Sequence, residues 1–474
     1  MLPTTTRTFK KITKADIAQF SKMLGDKYVL ADKEQLERCA HDETEDLEYM
    51  PELVLQPGTV EEVSAVMKYC NEQLIPVTPR GAGTGLSGGA LPVMGGVVLD
   101  MQRFNKILKV DKENFQVITE PGVITQELQK HLKEQGLFYP PDPASKGSCF
   151  IGGNVSENSG GPRAVKYGVV KDYVLNIEMV LPNGEVMWTG ANVLKNSTGY
   201  NLTQLIVGSE GTLGIITKIV LRLIPAVKND LLMLVPFRSA VDACRAVNEI
   251  FLAGYTPSAL EFMERDALEW SMRYVQATGI DLPGDIQAHL LIEVDGNKQE
   301  QLYEDIEAIS NIMQRFDTGE ILFADSHEQK QMLWALRRKV GEAVKSNSIY
   351  KEEDTVVPRA LLPKLLETVK RIGREYGFTS VCYGHAGDGN LHVNIVKGNM
   401  SDDDWQNKLP QAIRILFTEV VLMGGTLSGE HGIGFVQKGY MDVAFSELQL
   451  GLMKKIKDAF DPKGILNPGK IFVN

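Results

Sequence analysis

Residues 79–89 read Pro79-Arg80-Gly81-Ala82-Gly83-Thr84-Gly85-Leu86-Ser87-Gly88-Gly89, with five glycines in nine positions. Neither a helix nor a strand is stable across such a run, because each glycine gives up backbone entropy and brings no side chain to pack. A β-type stretch, 75–78, precedes it. Ala90-Leu91-Pro92-Val93-Met94-Gly95-Gly96 follows it, where a proline and two glycines forbid a helix. That continuation decides between readings. Residues 83–88 spell G-x-G-x-x-G and residues 85–89 spell G-x-S-x-G. A dinucleotide fingerprint and a nucleophile elbow both need a helix directly after the motif, so both are excluded. What remains is a loop whose N–H groups approach an anion, as a pyrophosphate cradle does.

Two further segments are of the same kind. Residues 152–163 read Gly152-Gly153-Asn154-Val155-Ser156-Glu157-Asn158-Ser159-Gly160-Gly161-Pro162-Arg163, after Pro140-Pro141-Asp142-Pro143. Residues 208–216 read Gly208-Ser209-Glu210-Gly211-Thr212-Leu213-Gly214-Ile215-Ile216. Three backbone-rich loops exceed what one phosphate needs. They suit a large, extended ligand held along its length by amides and small hydroxyls.

At 474 residues the chain exceeds one ordinary core, and two or three domains are expected. Short β-type runs (75–78, 96–100, 116–120, 176–181, 214–223) give way near residue 226 to strands (230–237, 288–294) alternating with amphipathic helices (241–253, 299–314, 360–376). The expected organisation is a ligand-binding domain over 1–226, a compact α+β unit with an antiparallel sheet over 227–415, and a C-terminal segment over 416–474. The net charge of −11 argues against a nucleic-acid partner. The N-terminal stretch shows no apolar leader, and no apolar run reaches the roughly 18 residues of a membrane span. A cytoplasmic protein is expected, with peripheral attachment to a membrane left open. The five cysteines (Cys39, Cys70, Cys149, Cys244, Cys382) are scattered, with no C-x-x-C. That excludes a disulfide framework and a four-cysteine cluster within the chain.

Residues 384–394 read Gly384-His385-Ala386-Gly387-Asp388-Gly389-Asn390-Leu391-His392-Val393-Asn394, and residues 429–434 read Gly429-Glu430-His431-Gly432-Ile433-Gly434. Three of the seven histidines stand in these two segments. Asp388-Gly389 is a hairpin signal between strand-like runs at 379–383 and 391–396. His392 and Asn394, two apart on a strand, share a face. His385 lies across the turn, and cross-strand neighbours come within about 5 Å. Two imidazoles and a carboxylate form a common catalytic cation set, with Glu430 as the third ligand and His431 left to move a proton. Zn²⁺ suits the set best, and Mn²⁺ or Fe²⁺ also fit. His41, His131, His289 and His327 have no such context and read as structural.

With these motifs in this order, the chain resembles, from about residue 45 to 472, the vanillyl-alcohol-oxidase and p-cresol-methylhydroxylase superfamily of flavoproteins. Its later motifs resemble those of the FAD-linked D-2-hydroxyacid dehydrogenases for D-lactate, glycolate and D-2-hydroxyglutarate. The resemblance implies an α+β fold, with a two-subdomain FAD-binding domain, an α+β cap domain with an antiparallel sheet, and a tail returning to the FAD domain. It implies pyrophosphate contacts at Pro79, Arg80, Gly81, Ala82, Gly83, Thr84 and Gly85. Further flavin contacts are implied at Pro121, Gly122, Pro141, Asp142, Ser148, Gly152, Gly153, Asn154, Ser156, Asn158 and Gly161. The third loop adds Glu210, Gly211, Gly214, Ile215 and Ile216, and the C-terminal Asn467-Pro468-Gly469-Lys470 adds Asn467. Some relatives tether the flavin through a histidine in the first loop. None stands there in this chain, so non-covalent FAD is expected.

In that family the patterns G-H-x-G-D-G-N-x-H and G-E-H-G-x-G make His385, His392 and Glu430 the metal ligands, His431 the general base and Asn394 a substrate-orienting group. Leu333-Trp334-Ala335-Leu336-Arg337 resembles a segment whose arginine receives the substrate carboxylate as a bidentate fork. Without the resemblance, 337–339 reads as a solvated helix face. The implied reaction is oxidation of a short D-2-hydroxy acid. The ion acidifies the hydroxyl, His431 (ordinary pKa about 6.5) takes its proton, the Cα hydride passes to flavin, and a 2-oxo acid leaves. D-2-hydroxyglutarate enzymes carry a threonine where Gly341 stands here. They carry a lysine where Glu352 stands, with Lys351 one residue off. D-lactate or glycolate is therefore the expected substrate, with D-2-hydroxyglutarate the alternative. The resemblance also implies a homodimer and an acceptor that is a quinone, a cytochrome, an electron-transfer flavoprotein or an iron–sulfur partner. A metallohydrolase using the same His385, His392 and Glu430 is the rival from another class, but it leaves the glycine loops unexplained. A flavoprotein subunit whose partner does the chemistry is the third reading, and His431 with Arg337 speaks against it.

Overall fold

The computed structural model describes residues 8–277 and 282–473, so the first seven residues of the N-terminal stretch lie outside them. Two compact units divide the chain. One holds the residues up to Ser159, Val169–Ala226 and those from Glu430 onward; the other holds Gly160–Gly168 and Val227–Gly429.

The first unit carries two main sheets. The smaller runs in the order Val29–Leu30, Leu53–Leu55, Val97–Asp100, Val77–Arg80, and its last two pairings are parallel. Parallel strands need a crossover, and the helix Val60–Gln73 lies between Leu53–Leu55 and Val77–Arg80 in the chain. Thr59 caps it by accepting the Glu62 N–H, and it buries Val63, Val66, Met67 and Cys70 on one face. The larger sheet is antiparallel, in the order Ile107–Asp111, Gln116–Thr119, Ile215–Arg222, Val174–Val180, Val186–Trp188. The tail is stitched to the strand of the glycine run: Val77 N–H donates to Ile465 O (2.8 Å) and Asn467 N–H to Val77 O (2.7 Å).

As expected, no helix follows Gly89. The second glycine segment corrects the reading as a loop, because Ile151–Glu157 is a short helix. Gly152 stands there for close approach rather than for flexibility. Its N–H donates to Pro121 O (2.7 Å), and a Cβ would collide with Pro121. Asn158, left-handed at φ 55°, ends the helix.

The second unit is built on a seven-stranded sheet, antiparallel throughout. Its order is Leu322–Ala324, Asn229–Phe237, Ala288–Gly296, Ala259–Glu264, Thr379–Gly384, Asn390–Val396, Tyr350–Val356. The helix Leu362–Tyr376 buries Leu362, Leu365, Leu366, Val369 and Ile372 at helical spacing. Leu333, Leu336, Val340 and Val344, from the two helices that follow the strand Leu322–Ala324, share a core with Leu232, Leu291 and Tyr383. Every residue of Asn390–Val396 is buried, polar ones included. The inserted segment 160–168 is held by charge: Lys166 Nζ meets Asp295 Oδ1 (2.5 Å) and Arg163 meets Glu293 (3.2 Å). No helix among the described residues is long and apolar enough to cross a membrane.

Candidate active site

The glycine loops of the first unit line one cleft of about 1320 Å³, its open mouth included. No amide from Gly81 to Gly85 donates a hydrogen bond among the described residues, although all five residues line the cleft. Arg80 adds a buried, unpartnered Nη1. Gly83 and Gly211 take left-handed backbone, and a Cβ there would fall on Arg80 and Pro79 respectively. A row of unsatisfied N–H groups beside a guanidinium is a built anion site, and it fits a dinucleotide's pyrophosphate.

Of the expected flavin contacts, Pro79 to Gly85, Pro121, Gly152, Gly153, Asn154, Ser156, Glu210, Gly211, Gly214, Ile215 and Ile216 line this cleft. Gly122, Pro141, Asp142, Ser148, Asn158 and Asn467 do not. Gly122 makes room for the carbonyls of Met101 and Phe104, Asp142 pairs with Lys146 (3.6 Å), and Asn158 ends a helix. Asn467 spends its amide on the carbonyls of Gly89 (3.0 Å) and Glu210 (2.8 Å). Gly161 belongs to the other unit. Met101, Ser145, Cys149 and Phe150 also line the cleft, and none sits in a pattern that marks a ligand; Glu157 lines it from within the second glycine segment.

Glu430 and His431 line the same cleft. Their loop is anchored by backbone amides. Ile433 and Gly434 N–H donate to the two Glu210 oxygens (2.8 and 2.6 Å), and Phe435 and Val436 N–H donate to Ser87 O (2.8 and 3.1 Å). Gly434 is left-handed at φ 51°, and a Cβ there would strike the Ser87 carbonyl. Burial pushes the Glu157 carboxyl well above the usual range, with the neighbouring Glu210 and Asp42 adding to it. Burial raises the Glu210 carboxyl too, but the amides of Ile433 and Gly434 favour its anion, so Glu157 is the member of the pair held higher. Burial also brings the Lys470 ammonium down to about 7, while its Nζ donates to Gly89 O (3.1 Å), Leu91 O (2.6 Å) and Asn467 Oδ1 (3.0 Å).

In the second unit the expected hairpin forms. Gly389 is left-handed at φ 83°, and Tyr383 pairs with His392 across the strands. The His385 and His392 rings stand 5.4 Å apart, and the Tyr383 ring stands 5.1 Å from His392. His392 Nδ1 is 3.3 Å from Glu352 and 3.6 Å from Asp354. Asp354 also accepts from Asn390 Nδ2 (2.7 Å), Ser428 Oγ (2.9 Å) and Gly429 N–H (2.8 Å), which ties the segment ending at Gly429 to the hairpin. Burial, and next the Glu352 carboxylate, hold the Tyr383 phenol well above its ordinary pKa. It donates to Glu352 Oε1 (3.2 Å).

Arg337 is buried rather than on a solvated face, at 4% exposure. Its Cζ lies 5.0 Å over the Tyr383 ring, and its Nη2 pairs with Glu261 Oε2 at 2.7 Å. Arg337 Nε and Asn394 Oδ1 are buried without a hydrogen-bond partner among the described residues, while the Asn394 amide nitrogen faces the Tyr383 phenol. Such orphans are costly unless a ligand satisfies them. His385 Nδ1 also contacts Glu261, at 2.8 and 3.0 Å. Sequence reasoning missed Glu261, which lies in an ordinary strand, Ala259–Glu264.

Residues 51–190 match the model of an FAD binding domain, and residues 227–471 match that of the FAD linked oxidases, C-terminal domain. The chain is 40% identical over 468 residues to a D-lactate dehydrogenase of Anaerostipes hadrus, covering 98% of each chain. It is 38% identical over 436 residues to the glycolate oxidase subunit GlcD of Bacillus subtilis, covering 91% of each. Among solved structures, p-cresol methylhydroxylase with substrate bound matches at a TM-score of 0.80 and 20% identity, over 99% of each chain, which speaks for a common fold. The expected α+β architecture of that flavoprotein type is therefore present, and the chain belongs to the FAD-linked oxidase family of flavin-dependent oxidoreductases.

Proposed function

We propose that this protein oxidises a short D-2-hydroxy acid, D-lactate or glycolate, to the 2-oxo acid, using non-covalent FAD and a divalent ion. The observation that carries this reading is the buried set Arg337, His385, His392 and Asn394, in which Arg337 Nε and the Asn394 amide oxygen are left for a small hydroxy acid to satisfy. When bound, FAD takes up a hydride, and a divalent ion lowers the pKa of a hydroxyl it touches. Arg337 receives the substrate carboxylate on its unpartnered Nε–H, a charged donor. Asn394 orients the substrate. His385 and His392 would hold the ion, and the pattern of residues 429–434 assigns the third ligand to Glu430. His431 takes the hydroxyl proton on a ring nitrogen, as a general base. Zn²⁺ suits the ligand set, and Mn²⁺ or Fe²⁺ are accommodated by the same donors.

The Glu352 carboxylate, held by Tyr383 beside His392, repels a second carboxylate. This favours a short monoacid over D-2-hydroxyglutarate. The two similar proteins named for D-lactate and glycolate support the same choice. Electrons then leave to a quinone, a cytochrome, an electron-transfer flavoprotein or an iron–sulfur partner. The test is anaerobic mixing of the yellow holoprotein with D-lactate, glycolate and D-2-hydroxyglutarate. D-lactate or glycolate is expected to bleach the flavin. Failure of all three to do so would sink the reading.

Gly434→Ala is expected to weaken FAD retention. The left-handed backbone costs an alanine about 1–2 kcal/mol, and its methyl would strike Ser87 of the first glycine loop. The ratio of flavin to protein after gel filtration measures the effect, and an unchanged ratio removes this loop from flavin binding.

A further inference from the structure

We propose that Glu261 is a positioning residue for both halves of the buried site, setting the tautomer of His385 and holding Arg337 by one edge. The inference rests on the metal and carboxylate roles argued above. Glu261 is fully buried on Ala259–Glu264. Its two oxygens meet His385 Nδ1 at 3.0 and 2.8 Å, and Oε2 meets Arg337 Nη2 at 2.7 Å.

A carboxylate paired with a guanidinium only accepts hydrogen bonds. His385 Nδ1 must therefore carry the hydrogen and donate it, because a lone pair there would face two anionic oxygens. Arg337 Nη2, 3.4 Å from the same Nδ1, does not compete, since two donors do not bond. The lone pair of His385 is thus on Nε2, the state in which imidazole binds a cation. A carboxylate behind a ligating histidine fixes its tautomer and raises its basicity. The second consequence concerns Arg337. With Nη2 spent on Glu261, the guanidinium is fixed by one edge and its Nε stays unpartnered. Glu261 also balances the buried positive charge.

The plain alternative is that Glu261 only clamps the helix His327–Arg338 to the sheet, and metal affinity separates the two. Glu261→Gln keeps the shape, but in either orientation its NH₂ replaces an oxygen that lies within 3.0 Å of His385 Nδ1. When its NH₂ donates to His385 Nδ1, the ring hydrogen moves to Nε2, where the ion would sit. The affinity for Zn²⁺, measured on metal-stripped holoprotein by competition with a chelator, is expected to fall roughly 10–100-fold, with FAD content unchanged. The KM for the hydroxy acid rises as Arg337 loses its fixed edge. Glu293→Gln is the control. It is a buried carboxylate on the neighbouring strand, held by Ser258, Trp334 and Arg163, and its loss should leave Zn²⁺ affinity alone.

An unchanged affinity in Glu261→Gln, or an equal loss in Glu293→Gln, overturns the proposal. If the glutamine variant does not fold, Glu261→Asp carries the comparison: it draws back from both neighbours, so a Zn²⁺ affinity equal to wild type overturns the proposal in the same way. A wild-type protein that binds no Zn²⁺ overturns both this inference and the metal role it rests on. Wild type that binds Zn²⁺ but is reduced by no hydroxy acid overturns the proposed reaction while leaving Glu261 in its place.

Discussion

Replacing His431 with alanine is expected to slow flavin reduction by the hydroxy acid roughly 10²–10⁴-fold, the usual contribution of a positioned general base, while FAD stays bound. The retained flavin follows from how the loop is held. Its anchors are the amides of Ile433 and Gly434 on Glu210 and those of Phe435 and Val436 on the Ser87 carbonyl. All are backbone donors that the substitution keeps. The glycines that line the cleft lie elsewhere in the chain. Anaerobic stopped-flow of the yellow variant measures the rate, and the flavin spectrum reports occupancy in the same sample. Added imidazole should restore part of the rate, since the truncated side chain leaves space on the cleft wall where His431 stood. A wild-type rate in the variant would take His431 out of proton transfer. Loss of flavin would instead give it a structural role.

What could be read in the sequence, and what could not, divides by the range of the forces involved. The 79–89 loop was legible because five glycines in nine residues leave few other conformations. The hairpin was legible because Asp388-Gly389 is a local turn signal between two β-type runs, and two-residue alternation then puts His392 and Asn394 on one face. Residues 151–157 were not legible. Two glycines argue against a helix by propensity, but Gly152 is fixed by a hydrogen bond to Pro121 that no local pattern reveals. Glu210 reads as a flavin contact, and besides lining the cleft its carboxylate holds amides 223 and 224 residues further on. Arg337 read alone as a surface charge, because only the tertiary packing of its helix buries it. Glu261 was invisible for the same reason. In Ala259-Leu260-Glu261-Phe262-Met263-Glu264 it looks like the polar side of an ordinary strand. Its buried partners, Arg337 and His385, come from segments more than 70 residues later, so no local pattern marks it.

The second large effect concerns Arg337, where stability and binding separate. Arg337→Met removes one partner of a buried ion pair and leaves Glu261, which is fully buried, facing His385 without its guanidinium. Breaking a buried pair from one side costs about 3–5 kcal/mol, because the remaining charge is uncompensated. Chemical denaturation should show that loss. The same variant gives up the charged donor proposed for the substrate carboxylate. A charged hydrogen bond contributes about 1.5–3 kcal/mol, or roughly 10–150-fold in KM. The double variant Arg337→Met, Glu261→Gln removes the stranded charge, so much of the stability should return. The raised KM should not, since nothing has replaced the guanidinium. Arg337→Lys lies between: it keeps a positive charge for Glu261 but loses the planar fork, so it should be more stable than the methionine variant and still bind substrate poorly. If all three variants keep the wild-type KM, the substrate carboxylate is bound elsewhere. If stability does not return in the double variant, the cost comes from lost packing against Tyr383 rather than from the unpaired carboxylate.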